Sequence, residues 1–350
     1  MDSSHVRAFG DLQADASPGV FPQCGRRTVV NRSRHSIRVR LAVILVGCAC
    51  MAPSLPAQQT FIFNFLRSTI SARMAGLGGA TVAVTDDPAN LVINPAVLTT
   101  VDSSTVTATF IKHVLDINAG YATYNRSVEG VGDMGFTVGY LNYGSFSRTS
   151  VNGDRTGSFA ANDLAVSVSL ANEFDSLISY GVTAKLLHST IPDMSSTAIA
   201  LDAGILYRMP ARRLNIGLSI LNVGTQLSTY DGVTDRLPLD MRLGLSHRLR
   251  GLPLMVNFSL NHLTDQTDNL LDRLQNFSVG GELYLGKVLQ ARLSYDNRLR
   301  NTSGVNIASQ LSGLSAGVGL RLTSFSFDYA YSALGAAAVM HRLSLVIPIQ

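Results

Sequence analysis

From about Thr105 to the end of the chain, apolar residues take every second position, in one segment of about ten residues after another. Successive side chains leave a strand on opposite sides, so strict alternation specifies β-strands with one apolar face. Val106, Ala108 and Phe110 share one face, with Thr105, Thr107 and Thr109 on the other. The pattern returns in Leu214, Ile216, Leu218 and Ile220 against Asn215, Gly217 and Ser219. It returns again in Leu314, Ala316, Val318 and Leu320 against Ser315, Gly317 and Gly319. Segments of this length, repeated many times behind an export signal, indicate an all-β fold: a transmembrane antiparallel β-barrel.

Residues 1–57 read as a cleaved targeting segment, to be kept out of the fold. Arg32, Arg34, Arg38 and Arg40 precede an apolar run from Leu41 to Ala52, and Ser54-Leu55-Pro56-Ala57 closes on small residues before Gln58. The run is too short to span a bilayer, which takes about 20 apolar residues. The basic stretch is longer than a signal needs, so translation is expected to start near Val30. Leu45-Val46-Gly47-Cys48 resembles a lipoprotein box, but cleavage after Ala57 is preferred to lipidation of Cys48. Seven of the 28 basic residues and three of the 24 acidic ones lie in this segment, so the +4 charge belongs to it and 21 of each sign remain. The basic pI is therefore no argument for a nucleic-acid partner. Cys24, Cys48 and Cys50 leave with it, so no disulfide or thiol chemistry is expected in the mature chain.

The alternation places strands near 104–113, 117–126, 134–143, 163–172, 177–188, 197–208, 213–222, 240–249, 252–262, 276–285, 288–297, 312–322, 324–333 and 338–349. That is about 14 strands, and an even number lets a single chain close with both ends on one side. Connections at 144–162, 223–239, 263–275 and 298–311 are long and alternate with short turns such as 173–176 and 210–212. Long loops are expected outside the cell, which puts both termini in the periplasm. A soluble sandwich would also alternate, but its wet face would carry many Lys and Glu. Here that face is Gly, Ser, Thr, Ala and Asn, interrupted by Lys185, Asp202, Arg242, Glu282, Arg292, Arg321, Asp328 and Arg342. Scattered charges of this kind suit a barrel lumen. Tyr140, Tyr143, Tyr180, Tyr207, Tyr295 and Tyr331 fall near strand ends, where an interfacial girdle belongs.

Few motifs carry chemistry. Gly76-Leu77-Gly78-Gly79 fails as a dinucleotide loop, because Thr81 takes the third glycine position and no strand precedes it. Gly313-Leu314-Ser315-Ala316-Gly317 matches a nucleophile elbow, yet alternation runs straight through it, and Ser315 reads as a lumen-facing strand residue. His188, His247, His262 and His341 have no Ser and acid partners by spacing, so no enzyme is expected. No metal motif or cofactor site occurs, and the acidic group Asp265, Asp268 and Asp272 reads as solvated loop surface.

The segment Ser71-Ala72-Arg73-Met74-Ala75-Gly76-Leu77-Gly78-Gly79-Ala80, then Asp86-Asp87 and Asn94-Pro95-Ala96-Val97-Leu98, resembles the start of fatty-acid-transporter-like barrels. The resemblance implies fourteen strands with the N-terminal segment folded into the lumen. Residues 58–103 would then form a plug, with Gly76, Gly78, Gly79, Asn94, Pro95 and Ala96 at its turns, and residues 104–350 the barrel. Such irregular backbone is tolerable at membrane depth only inside protein. Tyr143-Gly144-Ser145-Phe146, Gly157-Ser158-Phe159-Ala160-Ala161-Asn162-Asp163, Asn222-Val223-Gly224-Thr225-Gln226 and the stretches Tyr230-Asp231 and Leu237 to Gly244 narrow the likeness. They resemble the PorV/PorQ family of the type IX secretion system, on its PorQ-like branch.

Two features depart from that pattern: the chain ends in Gln350 rather than an aromatic residue, and the region after residue 57 leaves little length for large external loops. The resemblance implies a non-enzymatic barrel of the Gram-negative outer membrane that anchors or docks a cell-surface attachment complex. Its partners would be outer-membrane lipid, lipopolysaccharide and surface proteins, met through loops around Ser145–Asp163 and Gln226–Pro238. The alternative is a channel for uptake of hydrophobic small molecules, with a plug and a lateral opening making the path.

Overall fold

The computed structural model describes residues 61–114, 116–267, 269–302, 311–335 and 338–349. The targeting segment, its cysteines and Asp268 lie outside them. Fourteen antiparallel strands form one closed barrel in chain order: β1 (Thr105–Lys112), β2 (Asn118–Val128), β3 (Gly132–Thr149), β4 (Arg155–Glu173), β5 (Ile178–Ile191), β6 (Met194–Met209), β7 (Leu214–Ser228), β8 (Asp240–Arg248), β9 (Leu254–Leu260), β10 (Phe277–Leu285), β11 (Leu289–Asp296), β12 (Leu314–Arg321), β13 (Ser326–Ala333) and β14 (Val339–Pro348). Closure runs through β1 and β14, in register from Thr105 opposite Pro348 to Lys112 opposite His341. Within the closed wall, as far as the described residues go, no strand edge is left to recruit another chain.

The two faces are inverted relative to a water-soluble protein. Thr105, Thr107 and Thr109 are buried, whereas Phe110 between them and the next turn is half exposed. Leu201, Leu293, Val182 and Leu186 likewise point outward, and Ser167, Ser169, Asn257, Ser259 and Ser278 point into the lumen. A continuous apolar outer belt over a polar interior is the order that hydrocarbon, not water, stabilises. No helix among the described residues is long and apolar enough to cross a membrane.

The end of the barrel holding Thr105 and Pro348, called the near end, carries short turns. The far end carries the long connections, including 229–239 and 261–276, the latter with a one-turn helix at Leu270–Leu274. The expected loop 144–162 is instead mostly strand. β3 and β4 run on as a ribbon to Thr149 and Arg155, past a bulge between Asn142 and Ser145, with Phe146 opposite Phe159 and their rings 5.4 Å apart. Beyond the hydrocarbon both faces of a ribbon meet water, so the alternation that marks a strand in sequence disappears there. The same reason hides the extension of β7 to Ser228 and the tight connection after β5.

Inside the wall lies a compact segment, residues 61–103, built of short turns. Ser71 caps the helix Ala72–Gly76, its hydroxyl accepting from the Met74 amide at 3.1 Å. Two Asx-Pro pairs repeat one device: Asp87 caps Pro88–Val92 and Asn94 caps Pro95–Thr100, each side chain accepting from an amide two residues on. Proline suits the first helical position because its missing N–H would be unpaired there anyway.

Candidate functional site

A belt of glycines joins wall to plug. Gly135 on β3, Gly181 on β5, Gly204 on β6, Gly217 on β7, Gly244 on β8, Gly280 on β10 and Gly317 on β12 all face the lumen. A Cβ on Gly181 would stand 2.6 Å from the Pro95 carbonyl carbon, and one on Gly217 would stand 2.3 Å from the Val82 carbonyl oxygen. On Gly280 it would lie 2.6 Å from the Leu77 carbonyl oxygen, and on Gly244 2.6 Å from Val82. The plug backbone thus touches the wall on several sides at this level. In sequence these glycines are visible as members of the polar face, but nothing local shows what they meet.

The six plug-turn residues sit at these contacts. Gly76 packs on Gly317 of β12, and Gly78 and Gly79 take positive φ of 63° and 74° in the turn that follows. Asn94 Nδ2 donates to the carbonyls of Val82 at 2.9 Å and Ile205 at 3.1 Å, binding the plug to itself and to β6. Pro95 and Ala96 lie against Gly181.

The eight charges expected in the lumen all face inward, seven of them buried and Arg321 half-buried. Five residues on one side of the barrel make a chain of alternating sign. Arg73 of the plug donates through Nε and Nη2 to both oxygens of Glu282, at 3.1 and 2.9 Å. Arg292 Nε donates to Glu282 at 2.7 Å and its Nη1 to Asp328 at 2.6 Å, and Arg321 donates to Asp328 at 2.9 Å. Tyr284 adds a hydroxyl donor to Glu282 at 2.8 Å. Arg73 also donates to the Thr85 and Asp86 carbonyls of the plug, at 3.1 Å each, so the guanidinium that holds Glu282 of β10 also ties the plug to itself. Opposite, Lys185 Nζ lies 2.7 Å from Asp202 and donates to Asn222 at 2.8 Å. Asn222 occupies a bulge with φ 61°, where β6 and β7 shift register. Arg242 donates to Asp240 at 2.7 Å. Arg342 donates to the Thr69 carbonyl at 3.2 Å and to the Ser332 hydroxyl at 3.3 Å.

Several lumen residues escaped sequence reasoning. Asp265 is not a solvated loop carboxylate: Arg67 of the plug donates to both its oxygens, at 2.6 and 3.1 Å, and Arg298 stands 3.8 Å away. Asp272 stays at the surface, accepting from the Gln275 amide. Tyr143 leaves the expected girdle, because the β3 bulge turns it inward to donate to Asp163 at 2.6 Å. Tyr140, Tyr180, Tyr207 and Tyr331 remain outward, and Tyr295 is half-buried. His262 Nδ1 lies 2.9 Å from Asp240 but outside hydrogen-bonding angle. Burial holds its imidazole down to about 4, against the pull of Asp240 and with help from Arg242 and Arg298. Ser315 is a buried, inward residue of β12, and His188, hydrogen-bonded to Thr197, is far from it in register.

Residues 64–69 border several cavities inside the barrel. One cavity of about 320 Å³ is polar, with Arg67, Arg242, His262, Arg298 and Arg342 on its walls. A second, about 270 Å³, has Phe65, Ile111, Ala119, Tyr121, Leu141 and Met340 as its apolar lining. Both reach Asn64, Ser68 and Arg342.

No family model matches the chain, and no curated protein does. Solved structures do. The Pseudomonas putida toluene transporter TodX is similar at 12% identity and a TM-score of 0.52, covering 83% of this chain and 98% of that one. The CymD monoaromatic hydrocarbon channel matches at 13% identity and 0.52, covering 83% and 99%. A Pseudomonas aeruginosa FadL homologue matches at 12% and 0.50, covering 81% and 99%. The fold is therefore the closed 14-strand barrel of FadL-like outer-membrane proteins. The PorV/PorQ resemblance finds no matching family model and rests on its motifs alone.

Proposed function

We propose that the chain is an outer-membrane channel for hydrophobic small molecules, gated by residues 61–103. The observation that carries this reading is the half-apolar cavity of about 270 Å³ held between the plug and the far end. An apolar cavity of about 150 Å³ is enough to bind benzene. The fold is shared with a toluene transporter and a monoaromatic hydrocarbon channel, which supports ligands of that size. A ligand entering from the far end would rest on Ile111, Leu141 and Met340, and onward passage would need the plug to shift off the glycine belt. No covalent step or cofactor is part of this function. In this reading the far end faces outside and both barrel termini face the periplasm. Purified protein in liposomes should speed entry of toluene over protein-free vesicles, and Leu141→Arg should abolish the gain. Equal uptake with and without protein would refute the channel.

A second reading is favoured by the β3–β4 ribbon, which stands beyond its neighbours with Val151 fully exposed at its tip. There the barrel would anchor surface proteins of a type IX attachment complex amid lipopolysaccharide. Shortening the ribbon by removing residues 145–160 would then release the partner proteins from co-purification while leaving toluene entry unchanged.

A further inference from the structure

Arg342 is 4% exposed, and among the described residues no carboxylate lies within ion-pair distance of it. Its Nε and Nη1 donate to the neutral groups of Thr69 and Ser332, and the residue lines both cavities. The other cations on the polar cavity are matched: Arg67 and Arg298 face Asp265, and Arg242 faces Asp240. Asp296 also lines the cavity, where its side chain already accepts from the Leu299 amide. His262 is held neutral near pH 7, so among the described residues that line the cavity Arg342 is the cation without a carboxylate within ion-pair distance. A buried, unpaired guanidinium is costly, and a compact anion in the adjoining space removes that cost.

We propose that the polar cavity is a binding site for a small monocarboxylate, seated on Arg342 with the Asn64 amide and the Ser68 hydroxyl as further donors. The space of about 320 Å³ accepts such an ion together with several waters, each needing about 30 Å³. Because Arg342 also holds the Thr69 carbonyl, the bound anion would fix the segment 64–69 and so stiffen the plug. The site stands independently of whether the barrel conducts hydrocarbons.

The test is acetate titration of the full protein in detergent, against chloride at constant ionic strength, read by calorimetry and by thermal midpoint. Saturable acetate binding with a rise in midpoint is expected. Arg342→Gln should weaken binding at least roughly tenfold, as loss of a charge-assisted contact does, and Arg342→Lys should keep part of it. Should Arg342→Gln fail to fold, Ser332→Asp decides: a carboxylate built beside Nη1 supplies the counter-charge and should abolish acetate binding in a folded barrel. No saturable acetate binding by the parent protein, or undiminished binding in Ser332→Asp, overturns the proposal.

Discussion

Glu282 is the residue on which the lumen turns, since it is fully buried and accepts from two guanidiniums and a phenol. Glu282→Gln keeps the shape but leaves Arg73 and Arg292 sharing a neutral amide. Breaking a buried pair by removing one partner costs about 3–5 kcal/mol. Urea unfolding of the barrel in lipid should show a loss of that order, whereas Arg148→Ala, which removes an exposed ion pair with Asp193, should cost under about 1 kcal/mol. His262 gives a pH signature. Its folded pKa of about 4 lies below the ordinary 6.5, so its contribution to stability is complete above about 6.5 and is lost as pH falls toward 4. His262→Gln should remove that part of the slope from midpoints measured between pH 7 and 4. An unchanged slope would mean that the imidazole is open to water.

At the scale of elements, the plug and its glycine belt form one fitted joint. A Cβ on Gly204 would stand 2.1 Å from Asn94 Oδ1 and 2.9 Å from Pro95 Cδ, so Gly204→Val cannot keep the 94–96 turn in place. Gly120 on β2 faces outward with nothing within 4 Å of a Cβ, so Gly120→Ala is a matched control. In planar bilayers Gly204→Val should raise conductance toward that of a barrel lacking residues 61–103, while Gly120→Ala stays at the parent level. Little of this joint was legible in the sequence. The turns themselves were, because Asn94-Pro95 and the positive-φ glycines specify local conformation from local residues. Their partners were not: Arg73 meets Glu282 across 209 positions, and nothing near either residue encodes the pairing. The inward glycines share the parity of the polar face and so looked like its ordinary members.

At the scale of the whole molecule, the sequence was informative because one periodicity is imposed by one solvent boundary. Each of the fourteen expected strands overlaps an observed one, and they fail at the far end, where β3, β4 and β7 leave the zone in which one face must be apolar. The same boundary yields a direct test of which face meets hydrocarbon. Leu293 in β11 is 67% exposed and lies between Gly281 and Ala316 of the adjacent strands, well inside the belt. Lysine at the midplane of a bilayer costs about 2–4 kcal/mol on a barrel's lipid face, falling to about 0–1 near the interface. Leu293→Lys should therefore lower folding stability in vesicles by up to a few kcal/mol. Val151→Lys, at the tip of the ribbon, should stay within about 0.5 kcal/mol of the parent, as surface changes do. Both are read from the folded fraction on unheated gels across a urea series. If the two variants unfold together with the parent, water rather than lipid covers the outer face, and a membrane channel is no longer tenable.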